Sequence, residues 1–180
     1  MNLTKRTNSL DFLHPLMRIA ATSVIADLDE IDISFKIFET YRTPERQSHL
    51  KAKRPKVSNA GPWQSMHQYG LAVDFVIDVK GVNPWSTKGD HRQWWDALHL
   101  AGKQAGLTPL YNRRGRLMEL PHMQLNGGWS WRGMKSGRYP PGGDDPWVWN
   151  LHQAALRYPK GAPSVLPDYL EDELECRPPL

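Results

Sequence analysis

The sequence predicts a small α+β domain: an antiparallel central sheet with helices packed on one side, a cleft on the sheet's other face, and a C-terminal helical extension. Three observations carry this. Strand-like segments, one alternating and one almost continuously apolar, are separated by helical patterns, and a later pair of short segments flanks a glycine turn. A length of 180 residues supports one full core. An apolar share of 39% and a charged share of 23% belong to a folded chain rather than a disordered one.

In order, residues 11–29 read as an amphipathic helix, with Asp11 as cap and Leu13, Leu16, Met17, Ala20, Val24 and Leu28 recurring at three- and four-residue steps. Ile31, Ile33, Phe35 and Ile37 alternate with Asp32, Ser34 and Lys36, the pattern of a half-buried strand. Thr43 and Pro44 begin a short helix as N-cap and first turn. A basic loop, 51–62, then leads to residues 65–70 and a second strand, 71–79. Asp90 opens a helix that Gly106 stops. Residues 107–126 form a hairpin turning at Asn112–Gly115. Ser136–Asp145, rich in Gly and Pro, divides a main domain at 1–135 from an extension at 136–180, which opens a last helix at Asp145-Pro146 and packs back on the main domain.

Charge is uneven. The net +4 includes five acids and no base within 168–175; removing those five from 19 leaves 14 acids against 23 bases, or +9. Such a basic body suits an anionic partner, nucleic acid or bacterial wall, or simply solubility. The single cysteine, Cys176, has no intramolecular partner, and no apolar run approaches the ~20 residues of a membrane span. Residues 1–9 carry charge without a following apolar stretch, so the expectation is cytoplasmic synthesis without a signal peptide.

Chemistry concentrates in two places. His67 and Asp74 are seven apart, an odd offset that one regular strand would send to opposite faces; Gly70 between them allows a turn or bulge. Asp74 then projects with Ala72 and Val76, where a carboxylate is costly without a cation. In Glu119-Leu120-Pro121-His122-Met123-Gln124-Leu125, the proline argues against a helix. As a strand, His122 and Gln124 share a face, with Glu119 at the entrance. If the two strands are neighbours, two imidazoles and a carboxylate converge with a fourth position open, as in catalytic zinc sites. Spacing alone leaves other readings open: structural histidines, an Asp74–Arg42 ion pair, and a surface pair between Glu119 and the arginines at 113, 114 and 116.

Ser65-x-His67-x-x-Gly70-x-Ala72-x-Asp74, with Glu119-x-x-His122 downstream and Tyr41-Arg42-Thr43-Pro44-Glu45-Arg46-Gln47 upstream, resembles the LAS-type zinc peptidases. That group includes D-alanyl-D-alanine carboxypeptidases and the L-alanyl-D-glutamate endopeptidases of phage endolysins. The match is ordered over residues 10–126. The resemblance implies a Hedgehog/D-Ala-D-Ala peptidase-like fold, Zn²⁺ held by His67, Asp74 and His122, and Glu119 as general base. Arg42 would stabilise an oxyanion or grip a substrate carboxylate, and Ser65 and Gln47 would line the substrate site. It further implies a monomeric metallopeptidase acting on peptidoglycan stem peptides, with no specific nucleic acid or membrane partner and action on the wall after release through the membrane. The leading activity is L-alanyl-D-glutamate hydrolysis; a D-alanyl-D-alanine carboxypeptidase or dipeptidase and a non-catalytic wall-binding module are the alternatives. Of eight tryptophans, one or both of Trp94 and Trp95 are expected in the core. Trp85, Trp129 and Trp131 are expected in loops flanking the site, and Trp147 and Trp149 on a helix they pin down.

Overall fold

Helix α1 (Pro15–Asp29) begins later than its periodicity suggests, because proline takes its first turn and the cap is a histidine. Nδ1 of His14 accepts from the Leu16 amide at 3.2 Å, while Asp11 takes the Ser9 hydroxyl instead. These positions come from a computed structural model, which describes residues 3–55, 57–125 and 127–169. Cys176 and the acids from Glu171 to Glu175 lie outside the described residues.

The first strand, β1 (Phe35–Glu39), also starts later than expected. The amides of Ile31 and Ile33 both bond to the Leu28 carbonyl, closing the end of α1, and Asp32 turns through φ +57°. Alternation in that segment therefore belongs to a helix exit rather than to a sheet. Thr43 caps α2 (Pro44–Ala52) through its hydroxyl, as its sequence implies. A one-turn 3-10 helix, Met66–Tyr69, leads through Gly70 into β2 (Ala72–Ile77). Helix α3 (His91–Gln104) follows Asp90, whose side chain makes no capping bond, and stops at Gly106, φ +80°. β3 (Leu107–Pro109) and β4 (His122–Leu125) are the arms of the expected hairpin, with Tyr111 bridging to Leu117 beyond them. A short helix, α4 (Trp131–Lys135), was not legible in the sequence; α5 (Asp145–Arg157) starts where Asp144 accepts from the Trp147 amide.

The four strands form one antiparallel sheet in the order β1-β2-β4-β3. Side chains alternate across it. Val73, Phe75 and Ile77 of β2, with Met123 and Leu125 of β4, join a single core with Met17, Val24 and Leu28 of α1 and Trp95, Leu98 and Ala101 of α3. Gly102 lets α3 approach closely enough for the Met123 side chain to fill the space a Cβ would take. Asp74 and His122, one step out of that alternation, face the opposite side. There every residue of β2 is buried too.

Helix α5 is fastened at both ends to the segment that carries the chain into the 3-10 turn. The Trp147 indole donates to the Tyr69 carbonyl at 2.8 Å, and the Trp63 indole donates to the Tyr158 carbonyl at 3.0 Å. Trp147 is buried edge-on against His14, whereas Trp149, on the other side of the helix, is 46% exposed.

Gly70 is the hinge between the 3-10 turn and β2. Its φ is +65°, and a Cβ added there would lie 2.5 Å from the Phe12 carbonyl oxygen, which is backbone and cannot step aside. Gly70→Ala is therefore expected to cost at least about 2 kcal/mol. Urea unfolding monitored by tryptophan fluorescence reads this, and an unchanged midpoint would contradict the constraint.

Candidate metal centre

Cross-strand register brings the first two donors together. Asp74 of β2 lies directly opposite His122 of β4, and their side chains share one face. His67 arrives from the 3-10 turn, held by its own backbone: its carbonyl accepts both the Gly70 and the Arg42 amides. The odd offset between His67 and Asp74 is thus absorbed by Gly70, as the spacing requires.

The three donor atoms form a nearly equilateral triangle. His67 Nε2 is 3.2 Å from Asp74 Oδ1 and 3.2 Å from His122 Nδ1, and His122 Nδ1 is 3.3 Å from Asp74 Oδ1. All three residues are buried and form a group able to hold a metal ion. A triangle of that edge is one face of a tetrahedron whose centre lies about 2.0 Å from each corner, the length of a zinc–nitrogen or zinc–oxygen bond.

Outer hydrogen bonds fix which atoms face the centre. His67 Nδ1 donates to the Thr40 carbonyl at 2.7 Å, and His122 Nε2 donates to Gln124 Oε1 at 3.1 Å. Each ring therefore turns an unprotonated nitrogen inward, the arrangement found behind metal-ligating histidines. Three lone pairs converging at this range repel unless a proton or cation lies among them, so the residues fit a divalent ion. Burial works against the charge on Asp74, yet the His67 and His122 imidazoles hold its carboxyl well below the usual carboxylate range. Burial likewise works against a charged His122, and Asp74 outweighs it, raising His122 above the ordinary histidine value.

Arg42 holds the other carboxylate oxygen. Its Nη2 reaches Asp74 Oδ2 at 3.3 Å and Glu39 Oε2 at 2.8 Å; Nε reaches Glu39 Oε1 at 3.1 Å, and Nη1 reaches Gln47 Oε1 at 3.2 Å. Among the described residues four of its five N–H groups are thereby committed, leaving one on Nη1. Gln47, expected to line the substrate site, instead lies fully buried beneath it. Its amide nitrogen donates to Ser58 Oγ and the Ala60 carbonyl, fastening the 58–60 loop.

Over the triangle opens a cleft of about 320 Å³ whose wall includes Arg42, Ser65, His67, Glu119 and His122. Glu119 is exposed there, and its charge acts on both Arg42 and His122. Of the three tryptophans expected near the site, Trp131 lines the cleft from the start of α4, while Trp85 stacks edge-on against Phe38. Sequence reasoning missed Glu39, a carboxylate only 3% exposed that pairs with both Arg42 and Arg46.

Burial opposes the Glu39 charge, but hydrogen bonds from Arg42 and Arg46 lower its pKa below the ordinary value of 4.5. A depressed acid contributes stability above its unfolded pKa and loses it as pH falls toward the folded value. Glu39→Gln should therefore cost about 2–3 kcal/mol at neutral pH, and the gap from wild type should narrow as pH drops below 4.5. Denaturation midpoints of both proteins across that range measure it.

No family model matches the chain, and no curated protein matches it in sequence. Solved structures do match. The LD-carboxypeptidase LdcB aligns over 68% of this chain and 63% of its own, at 16% identity and a TM-score of 0.51. The vancomycin resistance D,D-pentapeptidase VanY, solved with Zn(II), aligns over 64% and 73%, at 18% identity and a TM-score of 0.50. An L-Ala D-Glu endopeptidase of Serratia marcescens, ChiX, aligns over 68% and 91%, at 22% identity and a TM-score of 0.49. The chain thus has the fold of the zinc D-Ala-D-Ala peptidase-like enzymes, the fold that its motifs resemble.

Proposed function

We propose that this protein is a zinc-dependent, endolysin-like peptidoglycan endopeptidase that hydrolyses an amide bond of the stem peptide, the L-alanyl-D-glutamate bond in particular. The observation that carries the reading is the buried triangle of His67 Nε2, His122 Nδ1 and Asp74 Oδ1 at the floor of an open cleft, with Glu119 on the wall. The fold shared with a peptidase solved with Zn(II) supports the choice of metal.

When bound, zinc supplies Lewis-acid polarisation of the scissile carbonyl and lowers the pKa of water to about 7. Glu119, exposed on the cleft wall, takes the proton from the attacking water and returns it to the leaving amine. The uncommitted N–H of Arg42 donates to a substrate oxygen, and its other bonds keep the guanidinium from swinging away. Ser65 presents a hydroxyl to the same cleft, and Trp131, Leu110, Met118 and Val57 supply an apolar wall for the peptide. Two exposed basic runs, Lys51 to Arg54 and Arg113 to Arg116, flank the cleft-lining segments at 57–60 and 118–119 and favour an anionic wall polymer.

A second reading, a carboxypeptidase with the same metal site, is favoured by the LD-carboxypeptidase activity of LdcB. Digestion of purified muropeptides followed by mass spectrometry separates the two. Release of peptide from glycan-linked L-alanine is expected; loss of one terminal D-alanine would establish the alternative, and an unchanged digest would end both.

Glu119→Ala is expected to retain about one zinc per chain by elemental analysis while hydrolysis falls by roughly 10²–10⁴-fold. His67→Ala and His122→Ala should lose both. Full activity in Glu119→Ala would remove Glu119 from the mechanism.

A further inference from the structure

Glu39 occupies its position because β1 contains an extra residue. Phe35 pairs with Ile77, Lys36 with Val76 and Ile37 with Phe75; the next pair is Glu39 with Asp74, so Phe38 is bulged out. In an unbroken strand Glu39 would share the core face with Phe35 and Ile37. The bulge moves it to the face of the metal centre, directly across from Asp74.

There the Glu39 carboxylate grips Arg42 through two nitrogens, Nε at 3.1 Å and Nη2 at 2.8 Å, a geometry that fixes the plane of the guanidinium. The same Nη2 holds Asp74 Oδ2, which leaves Oδ1 aimed at the two imidazoles. Nη1 holds Gln47, and Gln47 fastens the 58–60 wall of the cleft. Arg46 also pairs with Glu39 but, unlike Arg42, has no bond to Asp74 or Gln47 among the described residues.

We propose that Glu39 is a positioning residue for the metal centre: through Arg42 it orients the ligand carboxylate of Asp74 and the face of the guanidinium that borders the cleft. The inference rests on the reading of His67, Asp74 and His122 as a zinc site. An ion pair serving only the fold would tie down α2 and β1 without affecting the metal, and Arg46 provides that comparison.

Zn²⁺ affinity of the full chain, stripped of metal and titrated against a chromophoric chelator, tests this, with folding checked by circular dichroism. Glu39→Gln is expected to weaken zinc binding by roughly 10–100-fold, while Arg46→Met stays within about twofold of wild type. Equal affinity in Glu39→Gln and wild type, or an equal loss in Arg46→Met, overturns the proposal. Should Glu39→Gln fail to fold, Glu39→Asp, whose carboxylate is one methylene short of the fork, is expected to lose about fivefold or more, and unchanged affinity overturns the proposal equally. A wild-type chain that takes up no zinc would instead end the reading of the centre itself.

Discussion

A carboxylate in the second row of a four-stranded sheet, walled in by its neighbours, must be compensated from every side. Asp74 is 8% exposed, and a charge in such a place is sustained only by groups that hydrogen-bond or balance it. Arg42 meets one oxygen and two imidazoles meet the other. Each of those partners is in turn held by something further out: His67 by the Thr40 carbonyl, His122 by Gln124, Arg42 by Glu39 and Gln47. The helices α1 and α3, on the sheet's far face, supply the apolar burial that keeps β2 and β4 in register and so keeps the donors in place. The order of dependence runs outward from one side chain.

Much of this was legible before any coordinates. Asp74 and His122 stood out because each interrupts an apolar run at strand spacing, and Gly70 supplied the turn their offset from His67 demands. Thr43-Pro44 marked a helix start by chemistry that acts within four residues. What failed did so where local pattern and tertiary demand diverge. Ile31 and Ile33 alternate like strand residues, yet their amides close α1. Gln47 follows the Thr43-Pro44 helix start, but its side chain looks inward, because Arg42 and the 58–60 loop offer it three partners there. Glu39 was invisible for a sharper reason: regular alternation assigns it to the core face, and only the bulge at Phe38 reverses that. No rule of spacing reveals a bulge that shows only in the pairing of two strands.

The fold does not choose the bond to be cut. LdcB and VanY carry different specificities on the same framework, as is general for frameworks whose chemistry is concentrated in one site. In this chain much of the cleft wall comes from segments outside the sheet, the 57–60 loop and the stretch around Met118 and Glu119, together with Trp131 from α4, while His122 and Gln124 of β4 complete it. On the proposed reading selectivity would reside in those loops, whereas Asp74 and His122 come from strands and His67 from the 3-10 turn.

Two indole bonds fasten α5 to the segment ahead of β2. Trp63 and Trp147 stitch the last helix to the few residues just ahead of Gly70, one from each side of the Gly- and Pro-rich stretch at 136–145. Cutting the chain at that stretch would remove both clasps from the turn that delivers His67. Fusion tags and shuffled modules belong elsewhere on the surface, because what looks like an appendage is the outer clasp of the centre.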